Sequence, residues 1–293
     1  MTHGCPRDPR RTALPPIQAS QRGFSLVELL VVVAIIAILA SMLLTSLSRA
    51  KETARRIKCT NNLRQLAITW QLYMDDHEDR LVPNGAGSAA DLEGRRLWVV
   101  GNTHQDVPAF TNREYLLNPK YAAFADYLKT PEIYKCPSDH VTVPIGGREH
   151  PTTRSYALNG YLAWEEAQEQ ASLLSPSFYV FRKGSELSAG SPSSILQFVD
   201  TAPGNICHSA FVIYLDHGLD GLYYHLPSVQ HGGGGTASFA DGHVDFHEWR
   251  DPDTTKTARD KWIPNHFTIQ VPRNQDLRWL KERASSPKGT PQD

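Results

Sequence analysis

Apolar residues crowd into one early stretch of the chain. Leu29–Ala40 is twelve uncharged residues in a row, and Phe24–Leu47 holds a single charge, Glu28. As a helix rising about 1.5 Å per residue, that stretch is roughly 36 Å long and crosses a bilayer core. No proline occurs between Pro16 and Pro83, and no glycine between Gly23 and Gly85. The spacing predicts one continuous helix from about Ser25 to His77, inside a helical segment 24–80 whose membrane part is 24–47. Beyond the membrane part the pattern turns amphipathic. Leu47, Ala50, Ala54 and Ile57 recur at three- and four-residue steps, and Leu63, Leu66, Trp70 and Tyr73 repeat the stripe after a shift. Each stripe is a face for packing, and the second suits the core of a folded domain.

From Asp75 the pattern changes to short apolar runs between turn signals. Strands are predicted at Leu97–Val100, Ser155–Leu158, Tyr179–Phe181, Ile195–Val199, Ala210–Leu215, Leu222–His225, Thr236–Ala240 and His243–Glu248. Helical stretches are predicted at Asn112–Tyr127 and Trp164–Leu174. The fold class is α+β: a long N-terminal helix packed on an antiparallel β-sheet head, residues 81–283, followed by a disordered tail, 284–293.

Composition and charge narrow the function only a little. Thirty basic and 31 acidic residues give a formal charge of −1, so no nucleic-acid partner is expected. The charge is uneven: Arg7, Arg10, Arg11 and Arg22 face only Asp8 before the apolar run. A basic leader before an apolar run resembles a secretory signal peptide. Against that reading, the uncharged run Leu29–Leu47 is long, and a carboxylate stands near its start. A buried acid in a membrane helix is costly and points to function.

The residues around that acid explain it. Arg22-Gly23-Phe24-Ser25-Leu26-Val27-Glu28-Leu29-Leu30 resembles the recognition segment of type IV prepilins and type II secretion pseudopilins. The resemblance implies a leader, 1–23, cut after Gly23 by a prepilin peptidase that also N-methylates Phe24. It also implies an inner-membrane, single-pass protein with its head in the periplasm or outside the cell, and a lollipop-shaped subunit. Its partners would be other pilin or pseudopilin subunits, the inner-membrane assembly machinery and membrane lipid. Glu28 would neutralise the Phe24 ammonium of a neighbouring subunit, since both charges are costly unpaired in a low-dielectric filament core.

Further along, Gln230-His231-Gly232-Gly233-Gly234-Gly235 precedes a strand-like run broken by Asp241-Gly242. Asp-Gly between alternating segments signals a hairpin. A two-residue turn would pair Phe239 with Val244 and Ala237 with Phe246, leaving His243, Asp245 and His247 on the polar face. The glycine run lacks the Lys-Ser/Thr of a phosphate-binding loop. His231, nine residues, then Asp241-Gly242 also resembles the C-terminal signature of a prepilin-like family. Asn61-Asn62-Leu63-Arg64-Gln65-Leu66, Cys136-Pro137-Ser138-Asp139 and Ser155-Tyr156-Ala157-Leu158-Asn159-Gly160 extend that resemblance over most of the chain. In this motif His231 is expected to hydrogen-bond Asp241 as a structural pin. The alternative is a divalent-ion site drawing on Asp216, Asp220, His231, Asp241 and His243, with Ca²⁺ the candidate ion, although Asp216–Gly221 has too few oxygens for an EF-hand loop. Otherwise no cofactor is expected.

After processing, three cysteines remain, Cys59, Cys136 and Cys207, in what would be an oxidising compartment. A Cys59–Cys136 disulfide is one expectation, and reduced buried thiols are the other. No catalytic constellation stands out, so a non-enzymatic structural subunit is expected. The alternatives are a membrane-anchored binding module for a polymer or ion, and a secreted enzyme released by signal peptidase.

Overall fold

A computed structural model describes residues 1, 25–90, 94–165, 173–215, 221–258 and 270–289. Residues 2–23 of the predicted leader, with Gly23 among them, and Phe24, Asp216 and Asp220 lie outside that set. So does most of the helix expected at Trp164–Leu174. The chain divides into two compact units, Met1–Ser48 and Arg49–Asp293, and helix α1, Leu26–Asp76, contributes to both.

In the first unit α1 is apolar and long enough to cross a membrane, and its large apolar side chains from Leu26 to Leu47 are exposed. Two of its hydroxyls turn back on the helix. Ser41 Oγ donates to Ile38 O at 2.7 Å and Thr45 Oγ1 to Met42 O at 2.9 Å, so neither presents an unpaired donor to lipid. At the helix start Ser25 and Glu28 form a reciprocal cap. Ser25 N–H donates to Glu28 Oε2 at 2.8 Å, and Glu28 N–H donates to Ser25 Oγ at 3.2 Å.

In the second unit α1 buries Cys59, Asn62, Leu63, Leu66, Trp70 and Tyr73 on one face, while Ile57 remains exposed. The helix stops where Glu78 and Asp79 turn to positive φ, 55° and 65°. The charge run is only partly solvated, because the Asp79 carboxylate accepts the Ser185 N–H at 3.0 Å.

The head follows as β1 (Asn84–Gly85), α2 (Val107–Thr111), α3 (Glu114–Leu117), β2 (Thr142–Ile145), β3 (Arg148–Pro151), β4 (Tyr156–Asn159) and β5 (Trp164–Glu165). It continues with β6 (Leu196–Asp200), β7 (Ala210–Phe211), β8 (Gly234–Phe239), β9 (Val244–Glu248), α4 (Pro252–Thr257) and α5 (Gln275–Lys281). Five strands form the main sheet in the order β7-β4-β6-β8-β9, antiparallel except for the β4–β7 pair. Both faces of this sheet are covered, which makes β4 and β6 buried throughout. Tyr156, Leu158 and Phe198 join Leu63, Leu66 and Trp70 of α1 in one core cluster. Ala157, Leu196, Val199, Ala237 and Phe239 join Leu277 and Leu280 of α5 in the other. A register shift in β6 puts Leu196 and Val199 on one side despite their odd spacing.

Several expected elements are shorter or absent. Leu97–Val100, Tyr179–Phe181 and Leu222–His225 contribute isolated bridges in place of strands, and Asn112–Tyr127 is broken into α3 and a 3₁₀ turn. The described part of the expected tail is ordered. Ala284 is fully buried, Pro287 bridges Phe178, and Lys288 N–H donates to Ser177 O at 2.8 Å.

The β8–β9 hairpin is present with a different register. Thr236 pairs with Phe246, Ala237 with Asp245 and Ser238 with Val244. Phe239 N–H donates to His243 O at 2.9 Å, leaving Ala240, Asp241 and Gly242 as a three-residue loop with Gly242 at φ +90°. One extra loop residue splits the expected apolar face in two. Val244 and Phe246 turn toward α1, where Arg56 stacks over Phe246 at 4.7 Å. Ala237 and Phe239 face α5 with His243 and His247 beside them; His247 lies on Trp279 at 4.0 Å between ring centroids.

Candidate functional site

Four sequence motifs converge on one buried point in the head. Asn62, in α1, holds the loop that carries Cys136, donating from Nδ2 to Glu132 O at 3.1 Å and Lys135 O at 2.9 Å. That loop is tied again by Ser155 and Asp139. Ser155 Oγ accepts the Cys136 N–H at 3.0 Å and donates to Asp139 Oδ2 at 2.6 Å, and Lys135 pairs with Asp139. Strand β4 then supplies Tyr156, whose hydroxyl donates to Cys59 Sγ at 3.2 Å. Residue Asp200 ends β6. His231 stands on the glycine-rich turn before β8, where Gly232 and Gly233 adopt φ +72° and +96°, a conformation that L side chains rarely adopt. The glycine run thus shapes a turn that presents His231.

Cys59, Cys136, Asp200 and His231 place one sulfur, oxygen or nitrogen each within 4.8 Å of all the others. Cys136 Sγ is 3.2 Å from His231 Nε2, Cys59 Sγ is 3.6 Å from Asp200 Oδ2, and His231 Nε2 is 3.7 Å from Asp200 Oδ2. Relative exposures are 0%, 0%, 1% and 4% in that residue order, so the group is closed to solvent. On its other side His231 Nδ1 meets Glu52 Oε1 of α1 at 2.9 Å. A carboxylate only accepts, so Nδ1 carries hydrogen and the lone pair of the neutral ring sits at Nε2, facing the thiols.

Burial, reinforced by Cys136 and Asp139, raises the Asp200 carboxyl well above the usual carboxylate range. The Cys59 thiol and burial push the Cys136 thiol up. Burial opposes charging of His231, but Cys136 and Glu52 outweigh it and hold the ring above its ordinary value. These groups have the donor types and spacing of a metal-ligand set.

The expected sites fare unequally. Cys59 and Cys136 are neighbours, as a disulfide requires, but they are free thiols here. His231 does not pin Asp241. It turns to Glu52 and Cys136, while Asp241 Oδ1 pairs with His243 Nδ1 at 2.5 Å and accepts the His243 N–H at 3.1 Å. The reason is the three-residue loop, which folds Asp241 back onto its own turn. His231, Asp241 and His243 are therefore not gathered into an ion site among the described residues. Asp200 and Glu52 escaped the sequence reading. Asp200 ends an otherwise apolar strand, and Glu52 is the lone acid among Arg49, Lys51, Arg55, Arg56 and Lys58.

At the other end of the chain the geometry belongs to the membrane helix and its Ser25–Glu28 cap. That segment matches a known family: the prokaryotic N-terminal methylation motif covers residues 18–44. It supports a prepilin-type protein with a single-pass membrane anchor, processed by a peptidase and assembled with other pilin-like subunits. No curated protein and no solved structure matches the chain. A second match covers residues 48–197, just over half the chain, and takes in Cys59 and Cys136 but ends before Asp200 and His231. The chain thereby belongs to the family described as Protein of unknown function (DUF1559), carried behind a prepilin-type N-terminal segment.

Proposed function

We propose that this protein is a non-enzymatic, pilin-like structural subunit of a type II secretion or type IV pilus-like filament. It is cleaved after Gly23 and N-methylated at Phe24, with its head on the outer side of the inner membrane. The observation that carries this reading is the coincidence of the methylation motif with an apolar helix exposed from Leu26 to Leu47. Such a face is too apolar for water and suits lipid before assembly and neighbouring helices afterwards. The same helix continues into the head. Tryptophans bear on the binding-module alternative, which needs aromatic side chains at the surface. Among the described residues Trp70, Trp98, Trp164 and Trp249 are buried and Trp279 is half-buried. Intact mass spectrometry of the membrane-extracted chain tests the proposal. A product beginning with N-methylated Phe24 is expected; an unprocessed chain, or one cut by signal peptidase after the small-x-small run Ser46-Leu47-Ser48 so that it begins at Arg49, overturns it.

A further inference from the structure

We propose that Cys59, Cys136, Asp200 and His231 form a closed, structural site for a thiophilic divalent ion, Zn²⁺ in the first instance. The inference is independent of filament assembly.

A tetrahedral zinc ion with ligands at about 2.0–2.3 Å separates its ligand atoms by roughly 3.3–3.8 Å. Three separations, 3.2 Å for Cys136–His231, 3.6 Å for Cys59–Asp200 and 3.7 Å for His231–Asp200, fall around that range, and all four ligand atoms lie within 4.8 Å of one another. Two thiols, one imidazole and one carboxylate fill four positions, and burial leaves none for solvent, as a structural centre requires.

Two further observations point to an ion. The Asp200 carboxylate is almost wholly buried, and its Oδ1 has no hydrogen-bond partner. A buried carboxylate with an unpaired oxygen, beside two thiols, is costly unless a cation compensates it. His231 is also arranged as metal-bound histidines are, with Nδ1–H on a carboxylate and Nε2 directed at the cluster. The second cysteine–histidine group in the head, Cys207, His208 and His225, lacks this arrangement. There backbone N–H groups of Ala210 and Val212 donate to Nδ1 of His208 and His225, at 3.3 and 2.8 Å. Each neutral ring then carries its hydrogen on Nε2 and offers a donor, not a lone pair.

Binding converts both thiols to thiolates and leaves His231 neutral and Asp200 ionised, and the thiol protons, with any proton held on Asp200 or His231, are released to solvent. The ion would tie α1, the Cys136 loop, the end of β6 and the turn before β8 at one point.

The test uses the full chain, purified from membranes in detergent without added metal and assayed by elemental mass spectrometry. About one zinc per chain is expected, with Cys59 and Cys136 resistant to alkylation until chelator is added. Cys136→Ser and Asp200→Asn should lose the zinc, whereas His225→Ala should keep it. Glu52 is partly exposed, so Glu52→Ala should preserve the fold by circular dichroism yet surrender zinc to a competing chelator roughly 10–100-fold more readily. Should the ligand variants fail to fold, Co²⁺ exchanged into the wild-type chain should give a thiolate-to-cobalt charge-transfer band. A chain without stoichiometric zinc overturns the proposal, whether Cys59 and Cys136 are then bridged or free. So does zinc that persists in Cys136→Ser and Asp200→Asn, or Co²⁺ bound without the thiolate band.

Discussion

Glu52 and His231 are 179 residues apart in sequence, yet the helix carboxylate accepts the imidazole Nδ1–H at 2.9 Å. Around this contact the glycine-rich turn, the Cys136 loop and the helix meet. Ser138 Oγ also lies 3.4 Å from Glu52 Oε1 and 3.5 Å from His231 Nδ1. The helix therefore helps set the orientation of a side chain carried on the turn before β8.

Glu28→Leu should leave insertion and cleavage intact while impairing incorporation into filaments. Removing the carboxylate makes the helix cheaper to place in lipid, but leaves a neighbour's Phe24 ammonium without its counter-charge. Fractionation should find processed, unassembled protein in membranes. Normal filament incorporation would reject the pairing role.

Asn62→Ala should cost about 1–3 kcal/mol, because two carbonyls of the Cys136 loop, Glu132 O and Lys135 O, lose their donor in a buried place. Hydrogen exchange should show faster opening of residues 132–139 than of β4. An unchanged exchange pattern would mean that the loop holds itself.

Gly242→Val should destabilise the head by about 1–3 kcal/mol through backbone strain alone. Space is not the obstacle, since an added Cβ there meets nothing within 4 Å. His247→Ala should cost about 1 kcal/mol, because it removes the ring stacked on Trp279. Urea unfolding of the two variants would disprove this ordering if His247→Ala proved the more damaging.

Acid should weaken the head through His104. Burial lowers its pKa to about 4, so the folded state binds fewer protons than the unfolded state below the ordinary value near 6.5. Stability contributed by the neutral ring is present above pH 6.5 and is lost progressively as the pH falls toward 4. About 2 kcal/mol should be gone by pH 5. His104→Gln should flatten the fall in melting temperature between pH 6.5 and 5. An equally steep fall in that variant would assign the acid sensitivity elsewhere.

The long helix was legible because its signal is local: an unbroken apolar run, then a stripe at helical spacing ending in Leu63, Leu66, Trp70 and Tyr73. The strands around Tyr156, Leu196 and Ala237 were legible for the same reason. The hairpin register was not, because one residue more in the Asp241–Gly242 loop exchanges the two faces, and both faces contain apolar side chains. Nor was the buried cluster, whose members come from positions 59, 136, 200 and 231 and meet only once the sheet packs on the helix. The sequence showed His231 and both cysteines as separate features; Asp200 and Glu52 look ordinary until their neighbours are known.

Residues 283–289 complete the sheet layer: Leu196 N–H donates to Arg283 O at 2.8 Å, and Asn159 Nδ2 donates to Ala284 O at 2.7 Å. The second of these bonds joins β4 to a point 125 residues later in the chain. The head consequently cannot complete this arrangement before residues 283–289 have been synthesised. Its folding depends on contacts across long loops, and such non-local pairing slows the search even though closure entropy grows only slowly with loop length.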